Sequence, residues 1–198
     1  MKLVSILAIS FLSVLVLIVL MTYANNKRTE RQKYTVVKQE NGFSIRFYPR
    51  AIMATVHAGG DHYDPAKNNN FRRLAGYIFG GNRQEQKIAM TAPVYMEREA
   101  EGNAMSFVLP ENMQMDNLPE PNDKGISLHY SDEGYYAALS FGGFANDDRI
   151  ARKEAELKEL LKSAGYTYSG TFKYLGYNAP WDVIERENDI LVKVDYKP

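Results

Sequence analysis

Two proline-bearing segments constrain this chain more than anything else in it. Lys87-Ile88-Ala89-Met90-Thr91-Ala92-Pro93-Val94 follows a helix stop at Gly80-Gly81-Asn82, and Tyr177-Asn178-Ala179-Pro180-Trp181 follows a second helix that Gly165 stops. Proline bends or interrupts a strand because it cannot donate to the sheet ladder. Two such interruptions at corresponding places after two helices predict a duplicated strand, helix, strand, strand unit.

In the first copy, residues 52–57 alternate and are rich in β-branched side chains, as in a strand. Asp64-Pro65 then supplies a helix cap and a first-turn proline. Phe71, Leu74, Ala75 and Ile78 recur at i, i+3, i+4 and i+7, which places them on one helix face ended by Gly80-Gly81. Residues 88–95 and 105–109 are the next two strands. In the second copy the strand is 135–141, the cap is Asn146 or Asp147, and Ile150, Leu157, Leu160, Leu161 and Ala164 face inward. Strands at 171–177 and 190–196 complete it. The connector Pro119-Glu120-Pro121-Asn122-Asp123 reads as an exposed, polar loop. Alternation at Phe43, Ile45 and Phe47 places one strand face in a core with Phe107, Leu109, Leu157 and Leu161.

Residues 3–23 form an uncharged run whose polar members are Ser5, Ser10, Ser13 and Thr22. At about 1.5 Å per residue it is roughly 30 Å long, enough to cross a hydrocarbon core. The expectation is residues 1–24 as an N-terminal transmembrane anchor or uncleaved signal, residues 25–33 as a basic juxtamembrane linker, and 34–198 as one folded domain. A single-pass membrane localisation and contact with the lipid bilayer through that helix follow. Lys27, Arg28, Arg31 and Lys33 place the domain on the cytoplasmic side by charge count, whereas Lys2 directly before a long apolar run is also how exported anchors begin. Both orientations stay open.

The chain contains no cysteine, which excludes disulfides, zinc–thiolate sites, iron–sulfur clusters and a thiolate heme ligand. Its 24 basic residues balance 24 acidic ones, and nothing in their arrangement points to nucleic acid. No nucleophile elbow, His-Glu-x-x-His helix or phosphate-cradling loop is present, and Gly142-Gly143 lacks the lysine and spacing of a P-loop. Glu97, Glu99 and Glu101 read as solvated members of a charged hairpin.

The two proline segments, together with Phe43-Ser44-Ile45-Arg46-Phe47-Tyr48 and Phe107-Val108-Leu109-Pro110, resemble the SOUL family of heme-binding proteins over roughly residues 34–196. The resemblance implies an α+β fold: a distorted antiparallel β-barrel with two helices, built as a tandem repeat and similar to gyrase-inhibitor-like ligand-binding domains. It implies reversible, non-covalent binding of heme or another porphyrin. By the same resemblance, Phe71, Ala75 and Ile78 turn toward a ligand groove, with Arg72 or Arg73 available to propionates, and Tyr177, Asn178, Pro180 and Trp181 form the loop opposite. Where one branch of the family carries a histidine in the first core strand, this chain has Phe47, which cannot coordinate iron. Among the remaining histidines, His57 and His62 flank Gly59-Gly60 and are the pair to consider for a metal, beside His129. The expectation is contact without axial coordination. Two other classes remain as alternatives: a hydrolase using a groove Glu with Tyr77, Tyr95 or Tyr177, and a membrane-tethered interaction module whose protein partners the sequence does not name.

Deleting residues 3–23 should move the protein to the soluble fraction with its fold intact, because an anchor adds membrane affinity and no core packing. Fractionation and circular dichroism of the truncated chain check this, and recovery only as aggregate would count against it.

Overall fold

Alternation in the sequence becomes a nine-stranded antiparallel sheet in the computed structural model, which describes residues 29–58, 69–99, 102–178 and 185–198 together with Ile9 and Phe11. In chain order the strands are β1 (Glu30–Arg31), β2 (Thr35–Gln39), β3 (Ser44–Tyr48), β4 (Ile52–Ala58), β5 (Thr91–Ala92), β6 (Val94–Glu99), β7 (Gly102–Val108), β8 (Ile126–Tyr130), β9 (Gly134–Gly142), β10 (Tyr168–Gly176) and β11 (Glu187–Val194). The helices are α1 (Asn70–Ile78) and α2 (Asp147–Ala164). The sheet order is β2-β3-β9-β11-β10-β6-β7-β4-β8, and β1 with β5 forms a separate two-residue parallel pair.

That order is the predicted duplication made visible. β4, α1, β6 and β7 form one unit and β9, α2, β10 and β11 the other, each with its third strand between its first and second. The units meet where β6 pairs antiparallel with β10. The strand leading into each unit is exchanged: β3 pairs with β9 of the second unit, and β8 with β4 of the first. Every partnership within this sheet is antiparallel.

The expected barrel is open. β2 and β8 are the two ends of the order and do not pair, so the sheet curls into a half-barrel. β2 is exposed throughout and carries a register shift between Val36 and Lys38, and a bulge of that kind twists an edge strand away from further pairing. A second shift, between Ser169 and Lys173, bends β10, with Gly170 at φ 75° supplying the left-handed residue.

Both helices cover the outer face. α2 begins as expected: the Asn146 side chain accepts from Arg149 N at 2.9 Å, and Gly165 ends the helix at φ 76°. Its Ile150, Leu157 and Leu161 are buried, whereas Leu160 is half-buried and Ala164, expected inside, is exposed as the last residue of the helix. α1 buries Leu74, Tyr77 and Ile78 against Ala54, Val56, Met105 and Phe107. Phe43, Ile45, Phe107, Leu109, Leu157 and Leu161 all join this core.

The Pro119–Asp123 connector proves to be a clamp on α1 instead of a free loop. Pro119 O accepts from the Tyr77 hydroxyl at 3.0 Å, Asn122 N donates to Gly81 O at 3.1 Å, and Arg73 binds Asp123 in a two-point pair at 2.6 and 2.9 Å. Asp64-Pro65, Gly59-Gly60 and most of the 3–23 run lie outside the described residues. Among the described residues no helix is long and apolar enough to cross a membrane.

The bond from Arg73 lowers the Asp123 carboxyl to about 2. A depressed carboxylate contributes stability above its unfolded value, near 4, and loses it as pH falls toward the folded value. Asp123→Asn should therefore narrow the acid-unfolding difference from wild type below about pH 3, while costing stability at neutral pH; urea melts at pH 7 and pH 2.5 check both signs.

Candidate functional site

Period two sorts every strand into an outer and an inner residue set. On β4, Ile52, Ala54 and Val56 join the helix-covered core while Met53, Thr55 and His57 face the hollow of the sheet. Met96, Met105 and Phe107 go outward; Tyr95, Glu97, Ala104 and Ser106 go inward. The inner residues line a cavity of about 320 Å³ walled by Tyr48, Tyr95, Tyr130, Tyr136, Met53 and Leu191, with His57, His129, Glu97 and Lys173 also bordering it.

This inner face contains a buried ion pair. Arg46 and Asp189, 6% and 4% exposed, meet at 2.7 Å, and their remaining valences are closed by neighbours. Arg46 donates to Ser44 Oγ at 2.9 Å and Ser140 Oγ at 2.8 Å, while Asp189 accepts from Ser140 and from the Tyr177 hydroxyl at 2.7 Å. Around it lie phenols that burial holds neutral: Tyr48 and Tyr136 are pushed up to about 12, and Tyr95 and Tyr177 are raised well above the ordinary value. The Tyr95 hydroxyl donates to Gln32 Oε1 at 2.6 Å. The Tyr48 hydroxyl is buried without a hydrogen-bond partner; the Arg46 guanidinium is near enough to act on it electrostatically, but no donor–acceptor geometry closes between them.

His129 is fixed by what surrounds it. Its Nδ1 lies 3.0 Å from Tyr130 O, which only accepts, so Nδ1 carries the proton. In the neutral ring Nε2 is then an acceptor for Thr55 Oγ1 at 2.8 Å, and Thr55 accepts in turn from Ser106 Oγ at 2.7 Å. Glu97, read from sequence as a solvated hairpin charge, is instead in the cavity wall, paired with Lys173 at 3.2 Å and hydrogen-bonded by Thr171.

The residues expected to wall one groove are not brought together. Ile78 is 1% exposed and belongs to the outer core, and Phe71 packs edge-on to Phe107 at 5.4 Å on that same face. Ala75 is half-buried on α1, Arg72 is exposed there, and Arg73 is taken by Asp123. Tyr177 points the opposite way, into the inner cluster with Tyr48, Ala92, Tyr136 and Leu175. The sheet itself separates the helix from this tyrosine. Asn178 closes the β10–β11 turn by accepting from Glu187 N at 2.7 Å. Trp181, Pro180 and His62 lie outside the described residues. Sequence reading missed the inner face, although Thr55, Ser106, Ser127, Glu97 and Lys173 at alternate strand positions carry its signal.

A half-barrel built by duplication, covered by two helices outside and lined by aromatic side chains inside, defines the class. The chain belongs to the SOUL heme-binding protein family, which it matches over residues 29–193. It is 27% identical over 160 residues to heme-binding protein 2 of Mus musculus, covering 77% of this chain and 78% of that one. It is 24% identical over 164 residues to heme-binding protein 1 of Sus scrofa, covering 79% and 86%. Its fold is that of an uncharacterized conserved protein from Listeria innocua, at TM-score 0.58, 10% identity and coverage of 79% and 93%.

Truncating Arg46 to alanine should cost about 3–5 kcal/mol in urea unfolding, because Asp189 would be left buried and unpaired. Replacing the pair together, as Arg46→Met with Asp189→Leu, should recover most of that loss; a cost for the double change equal to the sum of the two single changes would show that the pair is not coupled.

Proposed function

We propose that the chain binds heme or a related tetrapyrrole reversibly on the inner face of its half-barrel, tethered to a membrane by its N-terminal run. Family membership carries the ligand class, and the cavity of about 320 Å³ walled by tyrosines, Met53 and Leu191 carries the location. The residues present fit such a group. Phenol faces and aliphatic side chains suit a flat apolar macrocycle, the unpartnered Tyr48 hydroxyl suits a carboxylate, and His57 borders the same space. A bound heme would supply an iron centre there.

Coordination by His129 or by the buried tyrosines is opposed on two counts. The Nε2 of His129 already accepts from Thr55, and the high values at Tyr48 and Tyr136 resist formation of a tyrosinate. Binding is then contact-dominated, and affinity is on the order of micromolar because burial must offset the freedom lost on association. The reading suits transport, buffering or sensing of the ligand. The hydrolase alternative fares worse, since Glu97 is engaged by both Lys173 and Thr171 and offers no free base.

Metal-free protoporphyrin should bind nearly as well as heme in absorbance titrations. Ser127→Trp, which fills the cavity from an exposed strand position, should weaken both ligands alike by about tenfold or more, whereas Arg72→Ala on the outer helix should leave them unchanged. If His57→Ala abolishes heme binding and spares porphyrin, that histidine is an iron ligand and the contact reading is wrong.

A further inference from the structure

Three spaces meet at one side chain. Gln32 borders the tyrosine-walled cavity, a cleft of about 450 Å³ around Arg46 and Tyr177, and a third space of about 370 Å³ beside Pro110 and Met113. What lies between them is the short stretch 31–34. The Tyr34 ring is 5.1 Å from the Tyr48 ring, and the Arg46 guanidinium is 4.5 Å from the Tyr34 ring centre. Arg31 in turn lies 5.3 Å from the ring of Tyr177.

The stretch is held by few contacts. Gln32 N donates to Ala92 O at 2.8 Å, Gln32 Oε1 accepts from Tyr95, and Arg31 pairs with Glu187 at 2.6 Å with both side chains about half exposed. The exposed ion pair contributes little net free energy, since solvent satisfies the same groups, whereas the buried Tyr95 hydroxyl that Gln32 would release needs a new acceptor from a ligand or from water entering the opened groove. Nearby, the buried Tyr48 hydroxyl lacks a partner, which is a cost the closed arrangement bears.

We propose that residues 31–34 are an internal occupant of the ligand groove: Tyr34 fills an aromatic slot formed by Tyr48 and Arg46, and a flat tetrapyrrole displaces it. The inference rests on the tetrapyrrole reading and specifies how the site opens. A planar ring takes over the contacts that Tyr34 makes, one with a phenol face and one with a delocalised cation. A propionate at the ring edge gives the Tyr48 hydroxyl the acceptor it lacks. Lifting the stretch also joins the spaces that Gln32 now divides, giving a slot longer than any one of them.

The test uses the full-length chain with metal-free protoporphyrin. Tyr34→Ala removes the competitor and should tighten binding about three- to tenfold. Arg31 and Ala92 are paired in register across β1 and β5, and the natural chain has no cysteine, so Arg31→Cys with Ala92→Cys offers a single bridge that pins the stretch down. Oxidised, that variant should bind at least about tenfold more weakly, and reduction should restore it. Hydrogen exchange at the Gln32 amide should speed up when porphyrin is added. Equal binding by wild type, Tyr34→Ala and the oxidised bridge, with unchanged Gln32 exchange, would overturn the inference and leave the tetrapyrrole reading standing. Failure of all three proteins to bind protoporphyrin would overturn both.

Discussion

The antiparallel seam between β6 and β10 is the constraint on which the rest of the molecule depends. Its register, from Val94 opposite Gly176 to Glu97 opposite Lys173, joins the second strands of the two units back to back. Once that register is set, Tyr95 and Leu175 must share the inner face while Met96 and Tyr174 share the outer one, because strand side chains alternate. A shift of one residue would exchange the two faces. The exchanged lead strands β3 and β8 then tie each unit to the other, so neither half keeps its full set of ladder partners alone.

The inner face is stabilised in a way that an ordinary core is not. Burying Arg46 and Asp189 removes two charges from water, a cost that their mutual attraction offsets only when every remaining donor and acceptor is satisfied. Ser44, Ser140 and Tyr177 supply those bonds. The outer face is stabilised mainly by apolar contact among Ala54, Val56, Leu74, Leu157 and Ile190, and its buried polar groups pair without charge, Tyr174 with Asn188 and Asn70 with Asn103. A polar network set in an aromatic surface fixes where the Tyr177 phenol stands, at a cost in stability relative to an apolar filling. Such an arrangement is expected where a hollow must stay shaped without collapsing.

Local signals in the sequence were legible and long-range ones were not. Asn146 and Gly165 mark the ends of α2 because capping is settled within a few residues. The alternation of Phe43 and Ile45 and the spacing of Leu74 and Ile78 identify buried positions for the same reason. What periodicity cannot say is which side of a strand a helix covers, and that is why Ile78 and Tyr177 were expected in one groove when the sheet stands between them. Arg73 and Asp123 are 50 positions apart, and Arg46 and Asp189 are 143 apart. Neither pairing leaves a trace in spacing, so Arg73 reads as available to a ligand and nothing marks Arg46 as half of an ion pair.

The character of the inner face also bears on how firmly a ligand can be held there. His129 is committed through Thr55 and Tyr130, Glu97 is neutralised by Lys173, and the tyrosines remain protonated. What the cavity offers is therefore flat contact surface and hydrogen-bond donors, with few groups that form strong bonds to a metal. Contact surface grows with the area of a planar ligand and is given back entirely when the ligand leaves, whereas a metal–ligand bond must be broken and the freed group re-solvated. A site of this composition selects by shape and polarity at its edge, and it releases what it binds. That composition is what the proposed contact-dominated binding of a tetrapyrrole rests on.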